Sequence, residues 1–314
     1  MRSEIPDTGR AQDAASRGIA WYRLRVAGLM LGSLLLGLVA IWGPVLLVVK
    51  GLIPLVDTAF HPGADVLSAI RRIGIFLAAV LGYWAYVRWF EKREATELAL
   101  RPISLVLGGV SGVTLVALPI AALFAFGVYE VVLFRGISSA LAGVAVLIVI
   151  AATLEELVFR CLLFRLLERA WGTWAALVVS SVVFALRHLE NVTEGGVVNA
   201  LTMIVAVIVV GLLWAGVFIL TRNLWAVVFN HAAWNFTILL SGVPLSGIED
   251  WRAIAPIESR YAGPDWLTGG MFGPENSLLV IVLTAVMVAL LLRLALLRGA
   301  FLSGQNPGQS PLST

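Results

Sequence analysis

Eight stretches of this chain are apolar over about the length that a helix needs to cross a bilayer, roughly 20 residues. They are Val26–Val49, Ile73–Phe90, Ile103–Phe126, Ile137–Leu157, Trp174–Leu186, Val197–Leu220, Leu224–Leu240 and Ser277–Leu297. Hydrophobic residues make up 60% of the 314 residues and charged residues 13%, whereas a soluble domain has about half and about a quarter. The sequence therefore predicts an all-α fold, a polytopic transmembrane helical bundle of about eight spans, and excludes a soluble globular enzyme.

Lysine and arginine are distributed in a way that orients a membrane protein. With eight spans and the amino terminus inside, the cytoplasmic ends carry about twice as many of them as the other side. We therefore expect both termini in the cytoplasm, and a location in the plasma (inner) membrane. The basic residues form no single patch, which argues against nucleic acid as a partner. The only cysteine, Cys161, cannot form an intrachain disulfide.

A few polar side chains lie inside the apolar stretches, where a charged group is costly and therefore a candidate for function. They are Glu155, Glu156, Arg160, His188, His231 and Asn235.

Helix geometry separates the two adjacent glutamates. Glu156 and Arg160 are four residues apart on one helix face, with the acid nearer the amino terminus, which favours an ion pair. Glu155 lies about 100° around the helix from Glu156, so the same arginine cannot easily neutralise both acids. We therefore expect Glu156 to be structural and Glu155 to be free.

A helical hairpin is expected to bring Glu155 next to His188. Gly172, the only glycine over residues 144–194, marks the midpoint between them and suits the turn. Both side chains would then lie about 25 Å from the turn on antiparallel helices. If the hairpin protrudes far enough for His231 to reach the same level, the site lies under the cytoplasmic face.

The polar residues also form three short motifs. They spell EELVFR (155–160), FALRH (184–188) and HAAWN (231–235). In this order and on apolar helices, they resemble the motifs EExxxR, FxxxH and HxxxN/D of the type II CAAX prenyl protease and bacteriocin-processing family of intramembrane endopeptidases. The resemblance covers roughly residues 140–240.

The resemblance implies an all-helical membrane enzyme that hydrolyses a peptide bond near the membrane surface. We expect the enzyme to use neither a cofactor nor a metal. By position, Glu155 and His188 would activate a water molecule. His231 and Asn235 share a helix face and offer two hydrogen-bond donors, so they would stabilise the oxyanion. The substrate would be membrane-associated: a prenylated CAAX-type protein, a peptide leader or a membrane-anchored tail.

Three further positions are expected to support the site. Glu156 and Arg160 match the remaining motif positions, and Phe184 shares a face with His188 and is expected to pack behind it.

Other functions stay open on the sequence alone. A zinc-dependent protease could use Glu155, His188 and His231 as its ligands, although the chain has no HExxH pair. A transporter could use the same groups as a proton or ion relay. A non-catalytic immunity or scaffold protein could keep only the fold.

Around the motifs, the chain is expected to divide into six parts. They are a cytoplasmic basic segment (1–25), three transmembrane helices (26–136), the catalytic transmembrane core (137–240), an interfacial loop (241–276), the last transmembrane helix (277–299) and a disordered tail (300–314). The loop contains four prolines and several aromatic residues, which suits the membrane interface and a lid over the site.

Overall fold

The computed structural model describes residues 8–191, 196–248 and 250–304, and these are almost entirely helical. The helices are α1 (Thr8–Leu47), α2 (Ile53–Phe60), α3 (Ala64–Ala85), α4 (Pro102–Ala125), α5 (Ser139–Glu156), α6 (Arg165–Trp171), α7 (Thr173–Arg187), α8 (Gly196–Thr221), α9 (Leu224–Leu240), α10 (Asp265–Thr268) and α11 (Leu278–Leu297). Two π-helical segments, Val48–Leu52 and Leu157–Phe164, join α1 to α2 and α5 to α6. The helical fold class predicted from the sequence is confirmed.

Within the described ranges, six helical runs are long and apolar enough to cross a membrane. They are Trp21–Phe60, Pro102–Ala125, Ser139–Trp171, Thr173–Glu190, Ala200–Thr221 and Leu278–Leu297. The other two expected spans are also helical, but α9 has only 17 residues and α3 carries charged residues in its first half. The protein is an integral membrane protein, and the expected count of eight spans is not confirmed.

Glycines let α4 approach α9, the helix that carries His231. A Cβ on Gly108 would lie 2.4 Å from the carbonyl oxygen of Ala226, and one on Gly112 would lie 2.2 Å from that of Asn230. The G-x-x-x-G spacing places both glycines on one face, and such small residues allow membrane helices to make close backbone contact. Close contact with α4 therefore fixes α9 directly beside His231.

The turn of the helical hairpin falls at Gly172, as expected. Gly172 has a φ of 85° between α6 and α7, a conformation that glycine adopts without strain. The turn is tied to its surroundings, because Arg222 donates to Glu168 at 3.0 Å and the Leu302 amide donates to the Thr173 hydroxyl at 2.8 Å. We call residues 91–101, 165–173, 221–225 and 297–304 the Gly172 end of the bundle.

The opposite end contains the only strands of the described residues. β1 (Tyr129–Phe134) pairs antiparallel with β2 (Ile257–Tyr261). The segment expected as an interfacial loop, 241–276, therefore contains β2, α10 and several short 3₁₀ turns. Its contacts with the β1 region include a 2.5 Å hydrogen bond from the Tyr129 hydroxyl to the carbonyl oxygen of Thr268. We call residues 128–135 and 241–277 the strand end of the bundle.

The two termini of the chain are described only in part. The segment expected to be basic and cytoplasmic is helical from Thr8 onward. Of the segment expected to be a disordered tail, residues 300–304 are described and residues 305–314 lie outside the described residues.

Candidate active site

The structure places Glu155, His188, His231 and Asn235 around one cavity. The side chains come from α5, the end of α7, and α9. The cavity has a volume of about 100 Å³, well above the roughly 10–15 Å³ that a bound water molecule requires. Three separate apolar helices thus direct their polar groups to one small space, which lies partway along the bundle.

His231 is held between the two glutamates. Its Nδ1 lies 2.8 Å from Oε1 of Glu156, and its Nε2 lies 3.8 Å from Oε2 of Glu155. Because a carboxylate accepts hydrogen bonds, Nδ1 carries a proton and donates a hydrogen bond to Glu156. The imidazole also stacks on Trp214, with ring centroids 3.5 Å apart. These contacts fix the ring so that Nε2 faces Glu155.

Glu156 and Arg160 form the ion pair that their spacing indicates. Oε2 of Glu156 lies 3.1 Å from Nε of Arg160, and the two side chains are 0% and 2% exposed. The guanidinium donates to the carbonyl oxygen of Gly211 at 3.0 Å and lies over the rings of Phe184 and Trp214. Such cation–π contacts stabilise a buried cation further. Glu156 thus binds Arg160 with one oxygen and His231 with the other, so its contacts are not confined to the ion pair.

Glu155 and His188 face the cavity in different ways. The Glu155 side chain is 36% exposed, in contrast to the fully buried Glu156. Nδ1 of His188 lies 2.8 Å from the carbonyl oxygen of Phe184, and because a carbonyl only accepts, Nδ1 donates and a neutral ring keeps a lone pair on Nε2. The Phe184 ring also packs on His188, at 4.5 Å between centroids. Among the described contacts, no hydrogen bond joins Glu155 directly to His188.

Asn235 contributes a buried polar atom without a partner. Its side-chain oxygen is buried and makes no hydrogen bond within the described residues. A buried polar group left unsatisfied costs about 1–3 kcal/mol, so an atom of this kind in a cavity wall is a position where a bound molecule would be stabilised.

Glu275 is a cavity residue that the sequence analysis missed. It comes from the 241–276 segment, which contributes five lining residues, Leu245, Ser246, Ile248, Trp251 and Glu275. Its carboxylate accepts hydrogen bonds from Nε1 of Trp234, at 3.0 Å, and from the Ser246 hydroxyl. Burial raises the pKa of Glu275 above its usual value, although these two hydrogen bonds act in the opposite direction. Trp234 directly precedes Asn235, so Glu275 connects the covering segment to the helix of the site.

The described residues contain no group of three or more His, Cys, Asp and Glu side chains arranged to hold a metal ion. Glu155, His188 and His231, which a zinc enzyme would use, line the cavity without that arrangement.

Comparison with known families identifies the segment that contains the site. Residues 137–237 match the model of the Rce1-like family, described as type II CAAX prenyl endopeptidase Rce1-like. This segment is similar to that family. The match covers about a third of the chain and contains all three motifs, so the resemblance indicated by the motifs is confirmed for this segment. Neither the curated proteins nor the solved structures give a match. The Rce1-like segment associates the cavity with CAAX-type proteases of membranes, which are hydrolases.

Proposed function

We propose that this protein is an intramembrane endopeptidase that hydrolyses a peptide bond of a membrane-associated substrate with an activated water molecule. The observation that carries the proposal is the convergence of Glu155, His188, His231 and Asn235 on one small cavity within an apolar bundle. The match of the same segment to an endopeptidase family supports the same reaction class.

Glu155 and His188 are the residues that activate water. Arg160 is bound to Glu156, so the carboxylate of Glu155 keeps its capacity to accept a proton. His188 offers the lone pair of Nε2, because its Nδ1 proton is bound to a backbone carbonyl. A water molecule between them donates to both groups, which orients its oxygen and makes it more nucleophilic.

The chemical step then needs no covalent enzyme intermediate. The water oxygen forms a bond to the carbonyl carbon of the substrate while a water proton passes to Glu155. The carbon–nitrogen bond breaks in the second half of the reaction, and the leaving amine takes that proton. Glu155 therefore acts first as a base and then as an acid, and ends the cycle ionised.

His231 and Asn235 stabilise the oxyanion of the tetrahedral intermediate. Asn235 donates from its amide nitrogen. Because Nδ1 keeps its proton in the hydrogen bond to Glu156, His231 can also donate from Nε2 only when the ring carries both protons, and Glu155 and Glu156 supply the compensating negative charge. Because these donors are positioned before the reaction starts, the loss of one is expected to slow the reaction by about 10²–10³-fold.

The experiment that tests the proposal compares the membrane proteomes of cells carrying the wild-type protein or Glu155→Gln at equal abundance. At least one membrane protein is expected to accumulate as an uncut precursor in the variant. Glu94→Gln, at an exposed site of the Gly172 end, is the control and should leave processing normal. Identical sets of membrane-protein termini in all three strains would overturn the proposal.

A further inference from the structure

We propose that the active site opens on the extracytoplasmic side of the membrane, so that its substrate is a membrane-anchored peptide whose cleaved bond lies on that side. The reaction itself rests on the proposed function. The side on which the site opens can be measured independently of any activity.

The cavity is covered from the strand end of the bundle. Five of its lining residues belong to the 241–276 segment, whereas none of the described lining residues belongs to the Gly172 end. Ile248, on the cavity wall, is 36% exposed. The wall that the 241–276 segment contributes to the cavity therefore meets the surface at Ile248, on the strand end of the bundle.

A layer of buried apolar side chains, which we call the apolar layer, separates the cavity from the Gly172 end. Directly after the two glutamates, the π-helical segment places Leu157, Leu162 and Phe164 in the core, each 0% exposed. Phe164 also packs edge-on against Phe218, with ring centroids 5.9 Å apart. A polar substrate backbone would have to displace these apolar side chains to enter from that end.

From the sequence, the site lies under the cytoplasmic face only if the hairpin protrudes beyond the neighbouring turn. Near the hairpin tip, however, Glu168 is bound by Arg222, which lies in the turn between α8 and α9. The hairpin therefore ends next to that turn. Glu155, which is 17 residues from Gly172 along the chain, consequently lies deep in the bundle as seen from the Gly172 end.

Basic residues are concentrated at the Gly172 end. Those in or next to it are Arg88, Lys92, Arg93, Arg101, Arg165, Arg169, Arg222, Arg293 and Arg298, and the amino-terminal part of α1 adds Arg23 and Arg25. The other side of the bundle carries Lys50, Arg71, Arg72, Arg135, Arg187, Arg252 and Arg260. The more basic side of a membrane protein faces the cytoplasm. The strand end, and with it the opening of the cavity, therefore faces outward.

Ion pairs occur at both ends of the bundle. On the strand side, Arg135 and Arg260 are paired with Glu258 and Glu130, and at the Gly172 end Arg93, Arg165 and Arg222 are paired with Glu97, Glu91 and Glu168. The orientation therefore follows from the number of basic residues, which is the quantity that correlates with the cytoplasmic side. At the Gly172 end, four arginines and only one acid line a second cavity of about 580 Å³. Such a basic surface is favourable next to the anionic lipids of the cytoplasmic leaflet.

This orientation selects among the substrate classes. A prenylated protein that is anchored in the cytoplasmic leaflet presents its peptide bond next to the Gly172 end, and the apolar layer separates that end from the cavity. A secreted leader peptide or an outward-facing membrane-anchored tail presents its bond next to the 241–276 segment. The second class fits the opening of the cavity.

Cysteine labelling in intact cells tests the orientation directly. The only native cysteine, Cys161, is buried, so Cys161→Ala provides a background without accessible thiols. Ile248→Cys reports on the strand end and Glu94→Cys, at an exposed position, on the Gly172 end. A maleimide that does not cross membranes should label position 248 in intact cells, and position 94 only after the cells are permeabilised.

Two results would overturn the orientation: labelling of position 94 in intact cells, or labelling of position 248 only after permeabilisation. Because labelling requires no substrate, outward labelling combined with unchanged membrane-protein processing in Glu155→Gln would leave the orientation standing and reject the peptidase proposal alone. If both proposals hold, the precursors that accumulate in Glu155→Gln should carry their cleavage sites on the outer side of the membrane.

Discussion

Glu156 is bound to both Arg160 and His231, and its replacement by Gln tests what each of these two contacts contributes. Gln keeps the shape of the side chain and removes its charge. Arg160, 2% exposed and 3.1 Å from the carboxylate, would then be a buried cation without its counter-charge. Removal of one partner of a buried ion pair costs about 3–5 kcal/mol. We expect a loss at the lower end of this range, because Phe184 and Trp214 still lie against the guanidinium.

The double variant Glu156→Gln/Arg160→Met removes the charge of both partners. Most of the lost stability should return, because a buried apolar side chain of similar size avoids the desolvation of two ions. Activity should not return, because a neutral amide cannot balance the charge of a doubly protonated His231. Replacement of the carboxylate behind a catalytic imidazole by an amide lowers kcat by about 10⁴ in serine proteases. We expect a loss on the order of 10²-fold or more.

Two measurements on purified protein decide the outcome: thermal unfolding in detergent, and the rate at which a precursor is cleaved. A fully stable Glu156→Gln protein would refute the argument from the buried charge. A stable double variant that cleaves at the wild-type rate would show that Glu156 serves the ion pair alone and has no part in the function of His231.

Three further predictions concern packing, the covering segment and metal dependence. Gly112→Ala should lower the midpoint of thermal unfolding strongly, because its Cβ would clash with the backbone of Asn230. The control Gly109→Ala should leave the midpoint unchanged, because its Cβ meets no atom within 4 Å. Equal midpoints for the two variants would contradict the close contact between α4 and α9. Glu275→Ala should destabilise the protein by about 1–3 kcal/mol, because the indole nitrogen of Trp234 loses its acceptor, whereas Glu275→Gln should keep that bond. The pKa of Glu275 is raised in the folded state. The contribution of Glu275 to stability should therefore decline as the pH rises from the usual glutamate range toward the raised value. Thermal unfolding of Glu275→Gln should lack this decline. A strong chelator should leave precursor cleavage unchanged; loss of cleavage that zinc restores would replace the glutamate mechanism by a metal-dependent one.

The helices and the motif residues could be predicted because each leaves a local signal in the sequence. A run of about 20 apolar residues has few alternatives to a membrane helix, and a charged side chain within it is conspicuous. The hairpin turn at Gly172 could be located for the same reason, since a single glycine interrupts a long helical stretch.

The strand end could not be predicted, because its contacts join residues far apart in the chain. Tyr129 is paired with Tyr261 across 132 positions, and neither strand has a partner nearby in the sequence. Glu275 stands in a segment rich in glycine and proline, so nothing marks it as buried until the segment folds over the cavity.

The contacts around His231 also depend on tertiary structure. Spacing along the helix indicated that Glu156 binds Arg160, but only helix packing shows that the same carboxylate reaches His231. Trp214 lies within an apolar run, where a tryptophan that faces lipid and one that stacks on a histidine look the same in the sequence.

The central claim is that Glu155 and His188 activate the same water molecule. Its most direct test is the cleavage rate of one identified precursor by purified Glu155→Gln, His188→Gln and the double variant, each shown to be folded by thermal unfolding. Residues that act as one unit have non-additive effects, so the double variant should be no slower than the slower single variant. Losses that multiply in the double variant, or near-normal cleavage by either single variant, would contradict the claim.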